Sequence, residues 1–128
     1  QELQFIFREN LPIKIFVINN NSLGMIRHFQ EMYFSSNFAQ TVENKGYSAP
    51  DFVSIAKAYK IKAMYIKSID EINNISELLA NDEPCLFDVQ VGNTTFVYPK
   101  LEFTKPIYDQ EPPLDRDLLD ELLNYEDK

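Results

Sequence analysis

Apolar and polar positions along residues 1–98 follow two alternating periods. Ile13–Ile18, IKIFVI, is apolar apart from Lys14 and predicts a strand covered on both faces. Ala63–Ile66 predicts a second, short strand, and Cys85–Val91, CLFDVQV, a third that only Asp88 and Gln90 interrupt. Between them the spacing is helical. Leu3, Ile6, Phe7 and Asn10 share a helix face over Gln1–Asn10, which Leu11-Pro12 ends. Met25, Ile26, Phe29, Met32 and Tyr33 form the apolar stripe of a helix starting near Met25, with His28 on its solvated side. Ser35–Tyr47, rich in Ser, Asn, Gln and Thr, predicts a loop. Ser48-Ala-Pro-Asp51, with Ser48 as N-cap and Asp51 as reciprocal cap, opens a helix through Phe52, Ile55, Ala56 and Tyr59. Ser68-Ile-Asp-Glu71 repeats the capping box before a helix to about Ala80. Strands alternating with helices imply right-handed crossovers and a parallel sheet, hence an α/β chain of three-layer αβα type.

From Tyr98 the composition shifts to prolines and acids. Pro99, Pro106, Pro112 and Pro113 mark an extended run, and LDRDLLDELL predicts a short amphipathic helix carrying Leu114, Leu118, Leu119, Leu122 and Leu123. Two regions follow: an α/β region over 1–98 and an acidic, proline-containing arm over 99–128. Of the net charge of −8, the stretch Asp109–Lys128 contributes −6, from eight acidic residues against Arg116 and Lys128. No basic stripe exists to neutralise phosphates, which argues against a nucleic-acid partner. No apolar run approaches the ~20 residues of a membrane span, and Gln1 opens no signal-peptide pattern. With 128 residues, 45% apolar and 25% charged, the chain suits one globular domain. The single cysteine, Cys85, starts an apolar strand and reads as a buried, inert thiol, in keeping with a cytoplasmic protein.

The chemistry gathers at Ile13–Gln30, IKIFVINNNSLGMIRHFQ, where strand, tight turn and helix meet. In open α/β sheets, ligands bind at the carboxyl ends of strands. Asn19 and Asn20 offer hard carboxamide oxygens suited to Mg²⁺ or Ca²⁺, and Ser22 a backbone carbonyl. Gly24 lets a ligand approach where the helix exposes its first N–H groups, a setting that favours phosphate. The same asparagines also make an ordinary turn.

NNNSLGMIRHFQ, preceded by LPIKIFVI and followed by EMYF, resembles the cofactor-binding domain of thiamine diphosphate enzymes, above all the acetolactate synthase large subunit. The resemblance runs from Gln1 to roughly Pro99 and more loosely into the arm. It implies the C-terminal half of a thiamine diphosphate-binding fold. In the family a long motif opens with Gly-Asp-Gly and closes with Asn-Asn; the Asp, the second Asn and a backbone carbonyl two residues on hold Mg²⁺. Carried over, Asn20 and Ser22 become metal ligands, and Leu23, Gly24 and Met25 line the diphosphate. No Gly-Asp-Gly is present. The motif spans about thirty residues, so it would begin before Gln1, and the chain reads as a C-terminal fragment that is inactive alone. No catalytic residue is assigned within it.

The resemblance further implies an enzyme that decarboxylates pyruvate, a 2-keto acid, and transfers the two-carbon unit to a carbonyl acceptor, working as a homodimer or homotetramer. Phe29 stands where acetolactate synthases usually carry a tryptophan and either shapes the acceptor pocket or belongs to the core. Asp88 reads as a hydrogen-bonded structural carboxylate. The arm, PKLEFTKPIYDQEPPLDRDLL, is similar to that of relatives engaged in surface-polysaccharide sugar synthesis, which would make an activated sugar the acceptor. In acetolactate synthase-like enzymes this arm packs across the cofactor cleft, either as a lid or as a docking helix. A degenerate, non-catalytic assembly module is the third reading.

Overall fold

Cys85–Gln90 (β3) is the middle strand of a three-stranded parallel sheet in the computed structural model, which describes residues 1–125. Lys14–Asn19 (β1) pairs on one side, Lys14 opposite Cys85 and Asn19 opposite Gln90. Lys62–Ile66 (β2) pairs on the other, Lys62 opposite Cys85 and Ile66 opposite Val89. The helices are Glu2–Arg8 (α1), Gly24–Tyr33 (α2), Phe52–Ala58 (α3), Ser76–Ala80 (α4) and Arg116–Leu123 (α5). The sheet's side chains alternate between two cores, as the pleat requires. On one face Ala56, Ile61 and Leu86 are buried with Leu3, Ile6 and Phe7 of α1, Phe52 of α3, and Ile15 and Val17. On the other, Ile66, Ile75, Cys85 and Phe87 pack with Met64, Leu78 and Val89. Helices therefore cover both faces of the sheet, giving the αβα layering.

The second face is incomplete over β1. Phe16 stacks on Phe87 at 4.9 Å between ring centroids yet stays 46% exposed, and Ile18 is 67% exposed. The strand expected to be covered on both faces is therefore, among residues 1–95, partly open on the second face. Cys85 is a free thiol, buried as its place at the start of an apolar strand predicts.

Three local expectations are corrected. The helix expected from Ser48 starts at Phe52, and its N-cap is Asp51 itself: Oδ1 accepts from the Ser54 N–H at 2.9 Å and Oδ2 from the Ser54 hydroxyl at 2.7 Å. A carboxylate that accepts two bonds, with a third from the Tyr65 hydroxyl at 2.7 Å, is a stronger cap than a serine three residues earlier. The helix after Ser68 is a 3-10 helix over Ile69–Ile75 before α4 begins, and Ser68 makes no side-chain cap bond. Glu71 still reaches back, accepting from the Lys67 N–H at 2.6 Å. The third correction concerns His28, which is buried at 8% exposure. The buried flank of α2 carries Arg27 and His28, while Met25 and Ile26 of the apolar stripe stand 69% and 51% exposed.

Contacts divide the chain into two units, Gln1–Thr95 and Phe96–Lys128. In the second, Lys100 and Glu111 exchange two backbone hydrogen bonds of 2.8 Å, and Lys105 pairs with Glu102 at 2.8 Å. Helix α5 is capped by Asp115, whose side chain accepts from the Asp117 and Leu118 N–H groups. Leu119 is buried there, whereas Leu114, Leu118, Leu122 and Leu123 remain exposed. Glu126, Asp127 and Lys128 of the acidic stretch lie outside the described residues.

Candidate functional site

Strand β1 ends at Asn19, and after four intervening residues α2 begins at Gly24. The turn between them is built from two successive side-chain-to-backbone bonds. Asn21 N–H donates to Asn19 Oδ1 at 2.9 Å, and Ser22 N–H donates to Asn20 Oδ1 at 3.2 Å. Asn21 takes the left-handed conformation, φ 48°, which asparagine tolerates better than most residues. The chain reverses tightly enough that Asn20's side chain folds back over the start of α2. A β-carbon on Gly24 would stand 2.5 Å from Asn20 Nδ2, so the residue at 24 must be a glycine for this arrangement to exist.

Ser22 is buried at 7% exposure, and its Oγ has no hydrogen-bond partner among the described residues. Helix α2 begins without a side-chain cap and without an acidic residue in its first turn. The first N–H groups of a ten-residue helix are thereby left for an anion, and the helix dipole favours one there. Among the described residues no three His, Cys, Asp or Glu side chains gather into a metal cluster. The oxygens on offer at the turn are a carboxamide and backbone carbonyls, hard donors of the kind Mg²⁺ accepts together with phosphate oxygens and water. The orphaned Ser22 Oγ, the cradle over Gly24 and this donor set fit a metal-bound diphosphate.

The expected loop after α2 forms one wall. Thr41, 2% exposed, donates its hydroxyl to Gln30 Oε1 at 2.7 Å, and Gln30 Nε2 donates to the Ala39 carbonyl at 3.1 Å. Leu23 N–H in turn donates to the Thr41 carbonyl at 3.0 Å, and Ser22 and Val42 form an antiparallel bridge. Beyond it a cleft of ≈ 290 Å³ is lined by Asn21, Val42, Glu43, Asn44 and Asn93. Asn21 Nδ2 donates to Glu43 Oε2 at 3.0 Å at its edge. On α2, Arg27 Nη1 donates to the Asn93 carbonyl, and its guanidinium lies 5.1 Å from the Phe38 ring centroid.

The structure brings Asn20, Ser22, Leu23, Gly24 and Met25 together at one strand–helix junction. Phe29 lies one helical turn further along α2, half-buried, its ring 4.9 Å from that of Tyr33 and 6.1 Å from that of Phe34. Sequence reasoning missed the Gln30–Thr41 tie, whose residues carry no pattern. It also missed the link from the turn to β3, where Asn19 Nδ2 donates to Asp88 Oδ2 at 3.3 Å. The lone acid in the strand CLFDVQV was the available signal.

Known proteins resemble this chain in sequence and fold. Residues 1–89 match the model of the thiamine pyrophosphate enzyme C-terminal TPP-binding domain. Over 106 residues the chain is 37% identical to maize (Zea mays) acetolactate synthase 1, chloroplastic; the match covers 79% of this chain and 17% of that protein. It is 31% identical over 100 residues to the acetolactate synthase isozyme 2 large subunit of Escherichia coli, covering 77% and 18%. A thiamine diphosphate-dependent 4-hydroxybenzoylformate decarboxylase from Rhodococcus jostii superposes with a TM-score of 0.57 at 22% identity, over 70% of this chain and 16% of that one, a likeness of fold. The chain thus spans less than a fifth of the length of these relatives. It belongs to the thiamine pyrophosphate enzyme family, as part of the C-terminal TPP-binding domain.

Proposed function

We propose that this chain is the cofactor-binding part of an acetolactate synthase-like carboligase, and that its β1–α2 junction holds Mg²⁺ and the diphosphate of thiamine diphosphate. The observation that carries the reading is the Asn20 carboxamide folded over Gly24 at an uncapped helix start. Asn20 Oδ1 and the Ser22 carbonyl are the metal ligands from this chain. Leu23, Gly24 and Met25 line the diphosphate, which receives the first N–H groups of α2. Bound there, the cofactor supplies the electron sink by which such an enzyme decarboxylates pyruvate and passes a two-carbon unit to a carbonyl acceptor. The chain's own residues anchor and orient it. Phe29, with Tyr33 and Phe34, forms an aromatic wall of the acceptor pocket, and the exposed Met25 and Ile26 offer apolar surface for excluding water. The complete enzyme works in the cytoplasm as a homo-oligomer on a 2-keto acid.

The test is Asn20→Ala in the complete enzyme. The Mg²⁺ and thiamine diphosphate concentrations needed for half-saturation rise steeply if Asn20 is a ligand; unchanged cofactor dependence overturns the assignment.

A further inference from the structure

Asp88 is 1% exposed, in the middle strand, and nothing in the proposed chemistry uses it. Its Oδ1 has no hydrogen-bond partner among the described residues, and its Oδ2 accepts one bond, from Asn19 Nδ2 at 3.3 Å. The register explains the meeting. Asn19 stands opposite Gln90 and Val17 opposite Asp88, so Asn19 and Asp88 lie on the same face of the sheet, two residues apart along β3.

A carboxylate in this place dictates which way the Asn19 amide points. Facing a carboxyl oxygen that accepts, Asn19 presents Nδ2 and not Oδ1, because two acceptors repel. With Nδ2 committed to Asp88, Oδ1 is turned toward the loop, where it accepts the Asn21 N–H at 2.9 Å. That bond holds Asn21 at φ 48°, and the following bond, Ser22 N–H to Asn20 Oδ1, completes the reversal that lays Asn20 over Gly24. Burial strengthens the effect, because a hydrogen bond is electrostatically stronger at low local dielectric.

We infer that Asp88 is a positioning residue of the cofactor loop: through the Asn19 amide it fixes the backbone from which Asn20 and Ser22 reach the metal. The inference rests on the loop being the Mg²⁺–diphosphate site. It assigns to a core carboxylate a role exercised through a second residue, as outer partners do for metal ligands generally.

The experiment compares Asp88→Leu, Asp88→Asn, Asn19→Leu and the double variant Asp88→Leu/Asn19→Leu in the complete enzyme. It measures Mg²⁺–thiamine diphosphate binding calorimetrically, alongside melting of the cofactor-free protein. Asp88→Leu and Asn19→Leu are each expected to weaken binding by about tenfold or more. The double variant loses no more than either single one, since both remove the same tie. Asp88→Asn, which can still offer a carbonyl oxygen to Asn19, recovers most of the affinity. The losses exceed anything the melting of the cofactor-free protein shows. Unchanged affinity in Asp88→Leu, or additive losses in the double variant, overturns the inference. If Asp88→Leu does not fold, Asn19→Leu at the partly exposed strand end carries the test, and unchanged affinity there overturns it equally. Asn20→Ala separates the two levels. If it weakens binding while the Asp88 and Asn19 variants do not, only the positioning role falls; if it too leaves binding unchanged, the site reading itself is wrong.

Discussion

The Asn20 carboxamide occupies the space in which a side chain at position 24 would begin, with Nδ2 2.5 Å from where a Gly24 β-carbon would stand. Gly24 is the first residue of α2, where exchange of glycine for alanine ordinarily favours the helix by up to about 1 kcal/mol. Stability and function are therefore expected to separate in Gly24→Ala. Melting stays unchanged or rises, while Mg²⁺-dependent cofactor affinity falls because Asn20 is pushed out of place. Calorimetric titration beside a thermal melt reads both; loss of stability with intact affinity would contradict the arrangement.

Asp51 joins α3 to β2 through a carboxyl held at about 2 by the Ser54 hydroxyl, the Ser54 N–H and the Tyr65 hydroxyl. The folded value lies below the ordinary 3.8, so the ionised cap contributes stability that is fully present above that value. This stability is lost as pH falls toward about 2. Asp51→Asn keeps a capping oxygen but does not titrate. Melts from about pH 5 down to about pH 2 are expected to show a shallower acid loss in Asp51→Asn than in the parent, and parallel curves would exclude Asp51 as a source of the loss.

Phe87 is fully buried in the central strand, among Ile66, Ile75 and Cys85 and stacked on Phe16. Phe87→Ala removes the largest side chain of that core and leaves a cavity that the sheet cannot close. A destabilisation of about 3–5 kcal/mol is expected, read from denaturant midpoints. Phe16→Ala, at the open edge, is expected to cost much less.

Beyond β1 no described strand continues the sheet, and the strand carries Phe16 and Ile18 in partly or largely exposed positions. An apolar strand with a free edge recruits partners. The 128-residue chain by itself is expected to self-associate, with sedimentation coefficients rising with concentration, and Ile18→Lys is expected to reduce this. A monodisperse monomer with a cooperative melt would count against the prediction.

Where a single period dominates, the sequence was enough. Ile13–Ile18, Ala63–Ile66 and Cys85–Val91 come within a residue of the observed strands, because short runs of apolar, aromatic and β-branched residues between polar turns leave little choice. Helix starts were less legible. Ser48 and Asp51 both carry capping oxygens, and the decisive bond from Tyr65 comes from β2, which local spacing does not reveal. The orientation of α2 was misread for a related reason: its apolar stripe does not face the core, and the buried Arg27 is held by a carbonyl 66 residues away. At the site, Asn20 and Gly24 stood out by residue type; the Thr41 wall is a product of tertiary geometry alone, and the Asp88 tie showed in the sequence only as a lone acid in an apolar strand.

The sheet order also sets a schedule for the ribosome. The central strand is the last of the three to be made, so β1 and β2 emerge before the strand that joins them. Asn19 waits for Asp88, 69 residues later, before its amide can be oriented. The two bonds within the turn are local, whereas the direction of the Asn19 amide is set only once β3 has paired with β1. Synthesis that stalls before Cys85 therefore leaves β1 and β2 without the strand that links them.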